Sequence, residues 1–124
     1  MREDYGPLTA VEAIIAIDPD SAEAQALLML LAARLRNSPE SSRRQQAAFL
    51  IAQYGPSARA AAASLREALK SEVADVRQWS LFVLYRIGVA AKPAIGDLSA
   101  LARDDPDPNV RRSAQAALKR VDRE

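Results

Sequence analysis

Three stretches of this chain repeat one another, and their repetition restricts the fold more than any other feature. They are "RQQAAFLIAQYG" (44–55), "RQWSLFVLYRIG" (77–88) and "RRSAQAALKRVD" (111–122). Their leading arginines lie 33 and 34 residues apart (77 − 44 and 111 − 77). A period in the thirties, with two helices in each unit, is the sequence mark of an α-solenoid, an array of stacked helix pairs. Equivalent small and apolar residues follow each arginine: Ala47, Ser80 and Ala114, then Ile51, Leu84 and Leu118.

Proline and glycine divide the chain into short helical segments. Proline suits the first turn of a helix and glycine the position just past its end, so these residues predict helix boundaries. No segment alternates polar and apolar residues with a period of two, and strands are therefore not expected. The breaks predict about seven helices, over residues 7–18, 20–36, 39–54, 57–70, 73–88, 90–103 and 107–122. The first of them joins the repeat series with Ala13, Ile14 and Ile17 on its buried side.

Short motifs also recur at the ends of the predicted helices, including "VR" at 76–77 and 110–111, "YGPSA" at 54–58 and "DPDPNVR" at 105–111. In these motifs the chain resembles the HEAT repeat family, in the short bacterial form called PBS-lyase HEAT-like repeats. The resemblance implies an all-α solenoid that spans residues 1–124 as a single domain. It implies a lone helix at 7–18, followed by helix pairs at 20–54, 57–88 and 90–122. It also implies that the second helix of each pair lines a concave inner surface.

The segment from Asp75 to Gly88 is apolar on two sides, which one buried face does not explain. Val76, Val83 and Ile87 recur at helical spacing and are assigned to the core. The opposite side of that helix is partly apolar as well, and contiguous exposed apolar patches usually mark interaction surfaces. With the equivalent positions of neighbouring units, this side predicts a protein-binding concave face of Phe49, Gln78, Leu81, Phe82, Tyr85, Arg112 and Lys119. Two alternatives stay open: the side chains pack on one another, or the helical phase is shifted by one residue.

Charged residues near the repeated arginines have two interpretations. Arg77 and Arg111, with Asp75, Asp105 and Asp107 nearby, form either an anion site or a structural ladder. The ladder is favoured because aspartate caps helices and arginine makes forked contacts with carboxylates. The same reasoning assigns the turn at 103–109 to helix capping, since it lacks the glycine and glutamate of an EF-hand calcium loop.

The composition argues against catalysis and against several kinds of partner. The chain has no histidine and no cysteine, which removes the commonest general base, the thiol nucleophile and the usual zinc ligands. A net charge of +1 does not favour nucleic-acid binding, and the single Trp79 is expected to pack against a neighbouring repeat. Without a long apolar run or a secretory signal, we expect a cytoplasmic protein with no membrane contact, metal or cofactor.

Together these features predict a non-catalytic scaffold or adaptor that binds a protein or peptide through the concave face of its second helices. Two other hypotheses remain. In one, the apolar face pairs with a second copy of the chain, which makes the protein a self-associating structural module. In the other, the chain is an accessory subunit of an enzyme such as a lyase.

Overall fold

The computed structural model describes residues 10–123, and every regular element in that range is helical. The described residues contain no strand, which confirms the predicted all-α class. Residues 7–9, where the first helix was predicted to begin, lie outside this range. Between residues 10 and 123, seven α-helices follow one another: α1 Ala10–Ile17, α2 Ala22–Asn37, α3 Ser41–Ala52, α4 Ala62–Ala68, α5 Ala74–Ile87, α6 Ile95–Asp104 and α7 Pro108–Val121.

Two of the predicted α-helices begin as 3-10 helices instead. The 3-10 segment Gly55–Ala61 leads into α4, and Gly88–Ala94 leads into α6. Both start at a glycine with positive φ, 56° at Gly55 and 73° at Gly88, a conformation that residues with a Cβ adopt only with strain. The glycines therefore set the direction in which the chain leaves α3 and α5. The α-helical parts of these two segments are accordingly shorter than the sequence predicts.

The helices form pairs that stack in two layers. In the pairs, α2 packs on α3, α4 on α5 and α6 on α7. The second helices of the pairs, α3, α5 and α7, also pack side by side, and α1 packs on α2 at the start of the array. This arrangement is the α-solenoid that the repeat predicts, and each repeated segment lies in a second helix. Within residues 10–123, no helix is both long enough and apolar enough to cross a membrane.

The core repeats in the same register as the sequence. Leu28, Leu65 and Leu98 come from the three first helices, and all three are fully buried. The aligned small residues of the second helices are also fully buried, and the Ser80 hydroxyl donates a hydrogen bond of 2.7 Å to the Val76 carbonyl. Small residues let the helices approach closely, while leucine supplies most of the buried apolar area. Equivalent sequence positions thus occupy equivalent places in the core.

The first helix departs from this register, and the prediction for it was wrong by one residue. Ile15 is buried, whereas Ile14 is partly exposed and Ile17 is 84% exposed. The second helices α3, α5 and α7 each pack on the first helix of their pair and on at least one neighbouring second helix, which fixes their rotation. Within the described residues, α1 packs chiefly on α2, and its rotation is set by the buried Ile15 with Val11 packed beside it.

Candidate protein-interaction surface

Three aromatic rings meet where α3 packs on α5. Phe49 comes from α3, and Trp79 and Phe82 come from α5. The ring centroids are 5.3 Å apart for Phe49 and Trp79, 5.6 Å for Phe49 and Phe82, and 5.8 Å for Trp79 and Phe82. All three pairs are edge-to-face, the arrangement that the charge distribution of aromatic rings favours. As predicted, Trp79 packs against the neighbouring repeat, and the rings join two units.

Tyr85 continues the apolar surface one turn further along α5. Its ring lies 5.0 Å from the guanidinium carbon of Arg120, a cation–π distance, and Arg120 Nε donates to the Tyr85 carbonyl at 3.1 Å. Arg120 belongs to α7, so this contact bridges the next pair of second helices. Phe49 and Tyr85 are 44% and 41% exposed, while Trp79 and Phe82 are half-buried. We refer to these four residues, Phe49, Trp79, Phe82 and Tyr85, as the aromatic face.

Polar predicted residues flank the aromatic face. Gln78 is half-buried, and its amide nitrogen donates to the Ser113 hydroxyl at 2.6 Å. Its amide oxygen is buried and has no hydrogen-bond partner among the described residues. Arg112 is exposed and donates to the Asn109 side chain. These contacts tie α5 to α7 and hold the start of α7 in place.

One of the predicted surface residues is not at the surface. Leu81 is only 1% exposed, so it belongs to the core between α5 and α7 and not to a binding surface. Lys119 is exposed, but its neighbour Arg120 is the residue that covers Tyr85. The contact of Arg120, and not Lys119, with Tyr85 reflects a shift of one residue between α5 and α7. Contacts across this junction join a residue to one 35 positions later, as in Gln78–Ser113 and Tyr85–Arg120, whereas the sequence alignment pairs residues 34 apart.

A groove beside Phe49 extends the surface toward the start of the array. Its volume is about 1050 Å³, and it lies among α1, α2 and α3. Apolar side chains, including Leu27 and Leu50, line it together with charged residues such as Arg34. Leu30, on its edge, is largely exposed. The groove is open and amphipathic, with dimensions that suit a peptide segment better than a small ligand.

The repeated arginines form a ladder between units, as the sequence analysis favoured. Arg44 Nε and Nη2 donate to Asp75 at 2.8 and 2.9 Å, and Arg77 Nε and Nη2 donate to Asp105 at 2.7 and 3.0 Å. Each pair joins one unit to the next. Each arginine also donates from Nη1 to the carbonyl six residues earlier: Arg44 to Ser38 at 2.8 Å, Arg77 to Ser71 at 2.9 Å and Arg111 to Asp105 at 2.6 Å. The three arginines are therefore spatially equivalent.

The electrostatics of the ladder are those of structural ion pairs. The hydrogen bond from Arg44 lowers the pKa of Asp75 despite partial burial, and the Ser41 hydroxyl adds to this effect. Burial alone would raise the pKa of Asp105. The hydrogen bonds from Arg77 and the Asp107 amide, with the charges of Arg77 and Arg111, outweigh burial and lower it. Both carboxylates are thus ionised at neutral pH and already paired, which leaves Arg44 and Arg77 unavailable to an outside anion.

The acidic turn before α7 is also occupied by structural contacts. Asp107 caps α7 by accepting from the Asn109 amide at 2.8 Å, and Asp105 accepts from the Asp107 amide at 2.9 Å. At the equivalent turn before α5, Val73 makes no side-chain cap, and the Ser71 hydroxyl accepts from the Val73 amide at 3.0 Å. Among residues 10–123, no group of three or more histidine, cysteine, aspartate or glutamate side chains is placed to hold a metal ion.

Stacked helix pairs and a ladder of ion pairs between successive units define an α-solenoid of repeated helix pairs. A family model described as HEAT repeats matches residues 28–119 of this chain. Because the match covers most of the chain, this protein belongs to the HEAT repeat family. Searches of curated proteins and of solved structures found no significant match.

Proposed function

We propose that this chain is a non-catalytic HEAT-repeat scaffold that binds another protein through the aromatic face of its second helices. HEAT repeats commonly act as interaction scaffolds, and this gives the proposal its general form. The observation that carries the specific form is the exposure of Phe49 and Tyr85 on one layer of helices. Their rings lie on either side of the half-buried Trp79 and Phe82, so the apolar surface continues across two helix junctions.

The energetics support a binding role for this surface. Keeping a large apolar side chain in water forgoes roughly 1.5–3 kcal/mol of burial free energy. The rings are also held in fixed positions, by edge-to-face contacts around Phe49 and by Arg120 beside Tyr85. Rigid aromatic side chains next to arginine are typical of the residues that dominate binding energy at protein interfaces. Binding therefore costs little conformational entropy in this protein, because its rings are already ordered.

The partner we propose is an amphipathic helix or an extended segment of another protein, lying along what we take to be the concave side of the array. Apolar and charged side chains together line the groove beside Phe49, which is the pattern that such segments complement. Leu81 is left out of this surface because it is buried.

Affinity capture with matched variants tests the proposal. Phe49→Ser and Tyr85→Ser remove exposed rings and are expected to abolish capture of the partner that the wild type retains. Val89→Ser is the control, because Val89 is about equally exposed but lies outside the second helices. Circular dichroism should show unchanged helicity in all three variants. If both ring variants capture the same partner as the wild type, the aromatic face is not the binding surface.

Light scattering on the same proteins distinguishes a foreign partner from a second copy of the chain. A wild type that stays monomeric across concentration supports binding of another protein. A wild-type dimer that Phe49→Ser and Tyr85→Ser convert to monomer, with Val89→Ser still dimeric, would assign the aromatic face to self-association instead.

A further inference from the structure

Within the described residues, the third arginine of the ladder, Arg111, leaves part of its hydrogen-bonding capacity unused. Like Arg44 and Arg77, Arg111 donates from Nη1 to the carbonyl six residues earlier. In the other two arginines, Nε and Nη2 hold an aspartate of the following unit. No carboxylate among residues 10–123 accepts from Nε or Nη2 of Arg111. The bond from Nη1 to the Asp105 carbonyl already orients the Arg111 guanidinium. Its Nε and Nη2 groups, which form the fork, are therefore available to bind one more carboxylate.

The surface around Arg111 differs in chemistry from its equivalents in the inner units. On α3 and α5, the following second helix buries Ala48 and Leu81. The equivalent position on α7 is Gln115, which is exposed. The positions equivalent to Gln78 and Tyr85, which contact the next helix, are Arg112 and Lys119, and both are exposed. The end face of α7 therefore presents three cations, Arg111, Arg112 and Lys119, around a polar centre.

We propose that the end face of α7 binds an acidic segment of another protein, with one carboxylate seated in the fork of Arg111. The carboxylate takes the place that Asp75 takes at Arg44 and Asp105 takes at Arg77. Bidentate arginine–carboxylate pairs are stronger and more directional than single hydrogen bonds. Arg112 and Lys119 add charge attraction at the rim, which favours a segment with several acidic residues over a single aspartate. This site is separate from the aromatic face and does not depend on it.

The turn that carries Asp105 supplies a suitable probe. A fluorescein-labelled peptide of residues 102–110, "ARDDPDPNV", contains the carboxylate that fits the equivalent arginine, Arg77. Fluorescence polarisation with the whole chain should show saturable binding that weakens as salt is raised, because salt screens exposed charges. The same peptide with asparagine in place of the aspartate at position 105 keeps the other acidic residues. It should bind at least about tenfold more weakly, since it loses the forked pair.

Protein variants complete the test. Arg111→Ala should weaken peptide binding by about tenfold or more, and Arg111→Lys should recover only part of the loss, because lysine keeps the charge but not the fork. Arg59→Ala is the control, since Arg59 is an exposed arginine of the 3-10 segment before α4. It should bind like the wild type. Thermal melting of Arg111→Lys verifies that the variant is folded.

Three results would overturn the proposal. The first is a folded wild type that does not bind the peptide at low salt. The second is equal binding of the aspartate and asparagine peptides, or equal effects of Arg111→Ala and Arg59→Ala, which would reduce the interaction to general charge attraction. The third is a dimer of the whole chain that Arg111→Ala dissociates while the peptide stays unbound. That result would assign the end face of α7 to a second copy.

Discussion

The junction between α3 and α5 and the junction between α5 and α7 use the same ion pair in different surroundings. At the first, Arg44 holds Asp75, whose side chain is 34% exposed. At the second, Arg77 holds Asp105, whose side chain is only 2% exposed. The first junction carries the partly exposed ring of Phe49 on the half-buried Trp79 and Phe82. The second junction buries Leu81, and Arg120 lies over the partly exposed Tyr85. The second junction is therefore the more deeply buried of the two at its ion pair and at Leu81, while the first has its carboxylate and the Phe49 ring partly in solvent.

The difference in burial follows from where each aspartate lies in the chain. Asp75 is in the first turn of α5, whereas Asp105 precedes α7 and caps the end of α6. Asn109 is the repeat equivalent of Asp75, and Ser71 is the repeat equivalent of Asp105. Neither equivalent is a carboxylate. Each junction therefore obtains its carboxylate from a different element, and only the arginine repeats.

Asp105→Asn should have the largest effect on stability. The substitution leaves the Arg77 guanidinium buried without a counter-charge, and losing one partner of a buried pair costs roughly 3–5 kcal/mol. Urea denaturation followed by circular dichroism measures the loss as a lower midpoint at an unchanged slope. Asp104→Asn is the control, because Asp104 is exposed and its ion pair is with the exposed Arg103. Equal effects of the two substitutions would show that Asp105 is not buried in solution.

Leu81→Ala should make the second junction resemble the first, where Ala48 occupies the equivalent position. Removing a fully buried leucine side chain costs about 2–5 kcal/mol, through lost burial and the cavity that remains. Leu30→Ala is the matched control, since Leu30 is 69% exposed and should cost at most about 0.5 kcal/mol. If Leu81→Ala were as mild as Leu30→Ala in the same urea assay, Leu81 would belong to the exposed surface after all.

Asp75→Asn should cost less than Asp105→Asn, about 1 kcal/mol. Water screens the partly exposed Asp75 carboxylate. Water can also accept a hydrogen bond from Arg44 in place of the lost carboxylate. Arg44 also keeps its bond to the Ser38 carbonyl. Urea denaturation gives the value directly. A loss as large as that of Asp105→Asn would erase the distinction between the two junctions.

Acid should lower the stability of the folded protein because both ladder aspartates, Asp75 and Asp105, become protonated. Near neutral pH the stability should change little. The pKa values of both aspartates are lowered in the folded protein. The ionised carboxylates therefore stabilise the fold at pH values above the unfolded-state pKa of about 4. That stabilisation is lost as pH falls through the lower folded values. Melting temperatures should therefore be nearly level from about pH 5 to 7 and fall below about pH 4. Asp105→Asn should reduce the fall in melting temperature at low pH more than Asp75→Asn does. If the melting temperatures of both variants fall at low pH as steeply as that of the wild type, the ladder is not the source of the acid sensitivity.

The repeat in the sequence was sufficient to predict the fold, the second-helix positions of the arginines and the packing of Trp79 between units. These features depend on residue spacing within each helix and on the period of 33 to 34 residues between units, both of which the sequence displays directly. The rotation of α1 was not predictable in the same way, because it depends on which neighbours flank that helix. Ile14 and Ile15 are equally apolar, and only the packing on α2 decides which of them is buried.

The candidate surface was predicted in part. Helical periodicity places Phe49, Phe82 and Tyr85 away from the core centre, but it does not say how much of that side the next helix covers. The following second helix buries Leu81, which lies on the same side of α5. The pairing of Tyr85 with Arg120 depends on the shift between adjacent helices, which a single sequence does not reveal. That Nε and Nη2 of Arg111 have no carboxylate partner within residues 10–123 follows from the positions of acidic residues in neighbouring units, which the repeat alone does not predict.

A double-mutant cycle at Arg77 and Asp105 tests most directly the claim that successive repeats are locked together by equivalent ion pairs. The free energies of unfolding of Arg77→Ala, Asp105→Ala and the double variant are compared with that of the wild type. We predict a coupling energy between about 1 and 3 kcal/mol, because the two side chains share a buried forked contact. The exposed pair Arg103 and Asp104 should give a value near zero. Effects of Arg77→Ala and Asp105→Ala that add within about 0.5 kcal/mol would contradict the account.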